Sequence, residues 1–222
     1  MKNLTRAFLA LLAAGTAWAG PITPTYTSFG DLAAATFGGS GISNDFVAIT
    51  NYGGVTLGLT ATPRFTAPAV SNNGAGTFYA TPGVASGLAL WNFDFYAHNA
   101  SGNEVTIELM YDFDPGAGTE SSTLGSIAYG LSAGATSQNS WNLGFPFLAS
   151  FTPPIAPPGY PTFNPNAVGE YSFALILRDA NSIELARTAI NVNVGSVPDA
   201  ASTISLLLAS LVGVFAFQRR RC

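Results

Sequence analysis

The residues whose types and spacing come nearest to chemistry are the acids and glycines between Asp112 and Glu120. Spaced carboxylates around a glycine turn are what calcium loops use. Gly116 stands where a third carboxylate is needed, so the EF-hand pattern is not met. Two readings follow: a structural calcium on Asp112, Asp114 and Glu120, or an acidic turn closing a strand that ends at Phe113. Paired carboxylates also carry glycoside hydrolysis, one as acid and one as base or nucleophile. Eleven acids lie between Gly20 and Ser196, so a carboxylate pair on a β framework is an open alternative.

Other catalytic patterns fail on their context. Gly130, Ser132 and Gly134 match G-x-S-x-G, but a nucleophile elbow needs a helix after the serine and a histidine downstream. The only histidine, His98, lies upstream, and residues 135–140 make a poor helix. One histidine excludes a multi-histidine zinc site. The single cysteine, Cys222, leaves residues 20–196 without a disulfide or thiolate metal site. No residue is therefore assigned a catalytic role, and no cofactor is expected beyond the calcium alternative. Trp91, Trp141, Tyr79 and Tyr160 could stack on sugars, although core packing is the default for each. Trp141 follows the polar stretch from Thr136 to Ser140 and is the first to check.

The elements that must hold these side chains read as strands. Only 9% of the chain is charged, against roughly 25% in an average domain. Segments rich in β-branched and aromatic residues run over Phe46–Thr50, Val55–Thr62, Gly76–Ala80, Leu88–Ala97, Glu104–Phe113, Leu124–Leu131, Gly144–Phe151, Tyr171–Arg178 and Ile183–Val194. Turn clusters of Gly, Asn, Ser, Asp and Pro separate them. Trp91, Phe93 and Phe95 alternate with Asn92 and Asp94, and Val105 through Phe113 alternates likewise. Residues 99–103 would join these two strands as a hairpin. Pro153 to Pro161 reads as an extended surface loop. The spacing predicts an all-β fold, an antiparallel β-sandwich of immunoglobulin-like or jelly-roll-like form.

The closing segment, with Gly169, Tyr171, Phe173 and the strand to Val194, resembles the last hairpin of immunoglobulin-like and PKD-like bacterial modules. The stretch from Phe29 to Phe113 is similar to uncharacterised exported β-rich proteins.

Charge bounds the partners. Residues 20–196 carry three arginines, no lysine and eleven acids, a net charge of −8. That argues against nucleic acid or an anionic membrane surface as partner, because both need clustered Lys and Arg. Both ends of the chain differ from the middle. Lys2 and Arg6 precede the apolar run 7–15, and Ala17-Trp18-Ala19 forms a small-x-small cleavage site. Residues 1–19 thus read as a signal peptide delivering the chain to the Sec translocon. At the other end, Val197-Pro198-Asp199 is followed by the apolar run 204–217, then Arg219, Arg220 and Arg221. Arginines beside an apolar run stay cytoplasmic, which places residues 20–196 across the membrane. Fourteen residues of helix span about 21 Å against a hydrocarbon core of about 30 Å, which suits temporary holding.

This order of motif, apolar helix and Arg cluster in residues 197–222 resembles the PEP-CTERM sorting signals, closest to the VPDSG-CTERM variety. The resemblance implies an exosortase as processing partner, transient residence in the inner membrane with the domain on the periplasmic side, and then the cell surface or the extracellular space. It implies an association with extracellular polysaccharide as well. Ala200-Ala201 replaces the usual Ser-Gly or Gly-Gly, so the exosortase class stays unassigned. The expectation is an exported, non-catalytic surface or matrix protein. The alternatives are a polysaccharide-active enzyme and a permanently anchored periplasmic domain.

Overall fold

The computed structural model describes residues 20–65 and 67–195. The expected signal helix, the terminal membrane helix and the named residues Ala17, Ala19, Val197, Pro198, Asp199, Arg219, Arg220 and Arg221 lie outside those described.

The described chain is all-β. Its strands are β1 (Ser28–Gly30), β2 (Val47–Tyr52), β3 (Val55–Pro63), β4 (Ser71–Asn72), β5 (Thr77–Ala80), β6 (Val84–Ala85), β7 (Leu88–Ala89), β8 (Trp91–Asn99), β9 (Val105–Tyr111), β10 (Gly125–Leu131), β11 (Thr136–Trp141), β12 (Ile155–Ala156), β13 (Gly169–Arg178) and β14 (Glu184–Val194). One sheet has the order β1-β2-β3-β8-β11 and the other β12-β10-β9-β13-β14-β5-β4. Pairing is antiparallel, except that β14 runs parallel to β5. A small β6–β7 hairpin stands apart.

The period-2 pattern explains how the sheets face each other. In β8, Trp91, Phe93, Phe95 and Ala97 point inward. They meet Ile107, Leu109 and Tyr111 of β9 and Phe173, Leu175 and Leu177 of β13 in one core. Phe93 stacks on Phe173 across the layers at 4.6 Å. Each such side chain, fully buried, contributes about 1.5–3 kcal/mol.

Both outer faces are partly covered too, which the alternation did not foretell. Ile22, in the segment before β1, packs on Ala174, Ile176 and Ala189 of the larger sheet. Between β1 and β2, residues 31–45 cross the smaller sheet as a strap. Ala35 and Phe37 of the strap join Val47, Ile49 and Tyr96. Gln138 Oε1 of β11 accepts the N–H groups of Thr36 and Phe37 at 2.9 and 2.8 Å.

Three expectations about elements are corrected. Residues 99–103 do not make a hairpin, because β8 and β9 belong to different sheets and the turn carries the chain between layers. Asn99 forms that corner: it is fully buried and its Nδ2 donates to the carbonyls of Asn103 and Leu131. Gly144–Phe151 is not a strand. Pro146 starts a 3₁₀ turn, Pro146–Ala149, that buries Leu148. Tyr111 Oη donates to the Leu148 carbonyl at 2.8 Å and pins the turn over the core. The polar stretch from Thr136 is instead edge strand β11, paired to β8 from Thr136↔His98 to Trp141↔Phe93. The loop expected over Pro153–Pro161 includes β12, two residues long, on the edge of β10.

The register fixes two poles. At one, β3, β5, β9, β11 and β14 end, while β2, β8, β10 and β13 begin. Both ends of the described chain reach this pole. Gly20 accepts a backbone bond from Ser121, and Gly195 donates one to Ala80.

Candidate functional site

Two carboxyls are held well above the usual carboxylate range, and these are the groups to examine for chemistry. Asp94 sits in mid-β8 on the outer face, between inward-pointing Phe93 and Phe95, and is fully buried. Burial pushes its pKa up to about 7, tempered by the Ser140 and Thr62 side chains. Thr62 Oγ1 donates to Oδ2 at 2.8 Å. Oδ1 is buried with no donor in hydrogen-bond geometry. Thr60 of β3 and Ser140 of β11 are its cross-strand neighbours.

Asp112 follows β9 on the outer face of the larger sheet and is 1% exposed. Burial pushes its pKa up to about 6, opposed by the Asp114 N–H, Thr119 and Ser172 and assisted by the Asp114 charge. Its Oδ1 accepts the Asp114 N–H at 2.8 Å, while Oδ2 has no partner.

These two acids do not form a pair. They point outward from opposite sheets, and packed sheets lie about 10 Å apart before any outward side-chain length is added. Glycosidase pairs work at about 5–5.5 Å or 6.5–9.5 Å. Other acids are committed elsewhere. Glu108 takes Arg178 Nε at 2.6 Å, and Glu184 takes Arg187 Nε at 2.6 Å. Glu170 accepts the Gly118 N–H at 3.1 Å.

The calcium alternative on Asp112, Asp114 and Glu120 is not assembled. Among the described residues no three His, Cys, Asp or Glu side chains gather as a metal cluster. Asp112 and Asp114 each turn one oxygen back onto the chain, the latter to Gly116 N–H at 2.8 Å. The segment is a self-capped acidic turn after β9, which ends at Tyr111 rather than at the expected Phe113.

Ser132 lies in the turn between β10 and β11, which is followed by a strand rather than a helix. His98 reaches Thr136 Oγ1 through Nδ1 at 2.9 Å on the same outer face as Asp94. Among the aromatics, Trp91 is core at 2% exposure. Trp141 is half-buried against Phe93, Phe95 and Phe147, with centroids 4.9–6.3 Å away. Tyr79 is half-buried and Tyr160 exposed.

Sequence reasoning named Asp94 only as the polar side of a strand. The signal that could have found it is the concentration of small hydroxyls, Thr60, Thr62 and Ser140, on the strands now beside it. Nothing in the pattern announced the strap that buries this face.

No protein-family model matches the chain, and no curated protein matches its sequence. Among the described residues no helix is long and apolar enough to cross a membrane.

Proposed function

We propose that the chain is an exported, non-catalytic surface or matrix protein whose β domain is delivered by a processed C-terminal sorting signal. The observation that carries this reading is the ordered tail: Val197-Pro198-Asp199, the apolar run 204–217, then Arg219, Arg220 and Arg221. An N-terminal signal at 1–19 gives the same orientation. In this reading the domain is immunoglobulin-like or jelly-roll-like, the inner membrane holds the chain transiently, and an exosortase releases it. What supports a binding rather than a catalytic role is the separation of the two acids with raised pKa. Extracellular polysaccharide is the partner class proposed, through half-exposed aromatics such as Tyr160.

Mass spectrometry of the protein secreted by its host tests the reading. The mature form is expected to begin at Gly20 and to lack Arg219, Arg220 and Arg221. A secreted form that keeps those arginines would sink the sorting signal.

A further inference from the structure

The exposed apolar side chains are not scattered. Among the described residues ten large hydrophobic side chains are exposed, and seven of them stand at one pole. Phe65 is 82% exposed just past β3, Val168 is 64% exposed just before β13, and Val84 is 48% exposed in β6. Phe46, Phe151 and Tyr160 are exposed there too, with Phe147 beside them. The other three of these ten, Tyr52, Ile183 and Leu185, lie at the other pole.

This crowded pole is the one both ends of the described chain reach. The contacts around it are continuous. Val168 packs on Gly195, and Gly83 N–H bonds the Pro165 carbonyl at 2.8 Å. Arg64 Nη1 donates to the Ala85 carbonyl at 2.8 Å, and its guanidinium lies 4.8 Å from the Phe65 ring centroid. Phe65 has φ +53°, a left-handed conformation that bulky residues rarely adopt, and its ring stands in solvent. Arg178 and Arg187 are ion-paired at the opposite end of β13 and β14, whereas Arg64 has no acidic partner among the described residues.

The chain beyond this pole limits what can cover it. The apolar run starts at Ile204, nine residues after Gly195. Nine extended residues reach at most about 30 Å. A tail inserted in a bilayer therefore keeps this pole, rather than the opposite one, next to the headgroups. An exposed aromatic beside an arginine suits that zone, the ring entering the interface and the cation meeting lipid phosphate.

We propose that this pole docks on the periplasmic leaflet of the membrane that holds residues 204–217, with Phe65 and Arg64 as anchor and Val84 and Val168 beside them. The inference rests on the sorting-tail reading. Its lipid is zwitterionic, because Asp114, Glu120 and Glu170 at the same pole repel an anionic surface.

The test uses the full chain with Cys222→Ser, reconstituted in phosphatidylcholine vesicles that carry a headgroup nitroxide. Val84→Cys and Val168→Cys report on the crowded pole, and Tyr52→Cys and Leu185→Cys on the other, each bearing an environment-sensitive dye. Quenching is expected to be several-fold stronger at 84 and 168 than at 52 and 185. Adding Phe65→Asp should lower it at least twofold while the chain still floats with the vesicles. Equal quenching at the two poles in a chain that floats overturns the docking and leaves the tail reading intact. A chain that does not float overturns the tail reading and the docking with it. Dye shielding that needs no lipid and rises with protein concentration identifies a second copy as the occupant and also overturns it.

Discussion

Replacing Asp94 by Asn should flatten the dependence of stability on pH. In the folded chain the Asp94 carboxyl titrates near pH 7, against 3.8 for an ordinary aspartate. Between those values the folded state holds a proton that the unfolded state has released. Stability therefore falls as pH rises from about 4 to about 7 and is level beyond. A shift of about three pH units corresponds to about 4 kcal/mol, since each unit is worth 1.36 kcal/mol. Asn keeps the Thr62 hydrogen bond and cannot ionise. Its amide NH2 falls near Ser140, which adds a constant offset but no pH slope. The measurement is urea unfolding of parent and Asp94→Asn at pH 4, 5, 6, 7 and 8. The variant should gain about 4 kcal/mol on the parent between pH 4 and pH 8, roughly 10 °C in Tm for a domain of this size. Parallel curves for the two proteins would show that Asp94 ionises freely in the fold and refute the burial argument.

Gly169→Ala should cost about 3 kcal/mol, because a Cβ there would lie 2.0 Å from the Pro115 carbonyl oxygen, whereas Gly20→Ala meets nothing within 4 Å and should be neutral in the same thermal melt. Asn142→Ala should lower stability by at least about 3 kcal/mol in urea unfolding, since the buried Asn142 amide bonds Ala89 N–H and C=O, Trp91 C=O, Asn92 Oδ1 and Gly144 N–H. EDTA followed by excess Ca²⁺ should leave Tm unchanged, because Asp112 and Asp114 already spend carboxylate oxygens on their own turn; a calcium-dependent rise would restore the metal reading.

The sequence made the inward-facing strands legible because their alternation is strict. Trp91, Phe93 and Phe95 could be placed on one face before any coordinates, and so could Ile107, Leu109 and Tyr111. What stayed hidden was whatever alternation does not encode. A five-residue turn looks the same whether it closes a hairpin or carries the chain across a sandwich. Asn99 decides for the crossing, by bonds to Leu131 and Asn103 that no local pattern contains. β11 was invisible because Ser137, Gln138, Asn139 and Ser140, which fill it between Thr136 and Trp141, are weak strand formers held there by pairing with β8. Gly144–Phe151 misled in the opposite way: it is apolar enough for a strand, but Pro146 and the bond from Tyr111 fold it into a plug. The candidate acids were harder still. Asp94 and Asp112 differ from the other acids only in being covered, and the cover comes from segments far along the chain or from the packing of neighbouring strands.

The two acids bear on how the stability of the β domain responds to its surroundings. This one has no cysteine among residues 20–196, so its stability rests on the core and on the segments that cover both outer faces. Asp94 and Asp112 both oppose that stability as pH rises, Asp112 between about 4 and 6 and Asp94 up to about 7. Both effects act in the same direction, so the contribution of these two carboxyls is fully present below about pH 4 and is lost above about pH 7. Asp94 occupies mid-strand beneath a face crossed by the strap 31–45, so its ionisation would strain β8 and its neighbours β3 and β11 together. If the strap is what yields, hydrogen exchange at the Thr36 and Phe37 amides, both tied to Gln138, will rise between pH 6 and 8 beyond the intrinsic increase, and Asp94→Asn will abolish the excess. An excess that survives the substitution would assign the opening to another group.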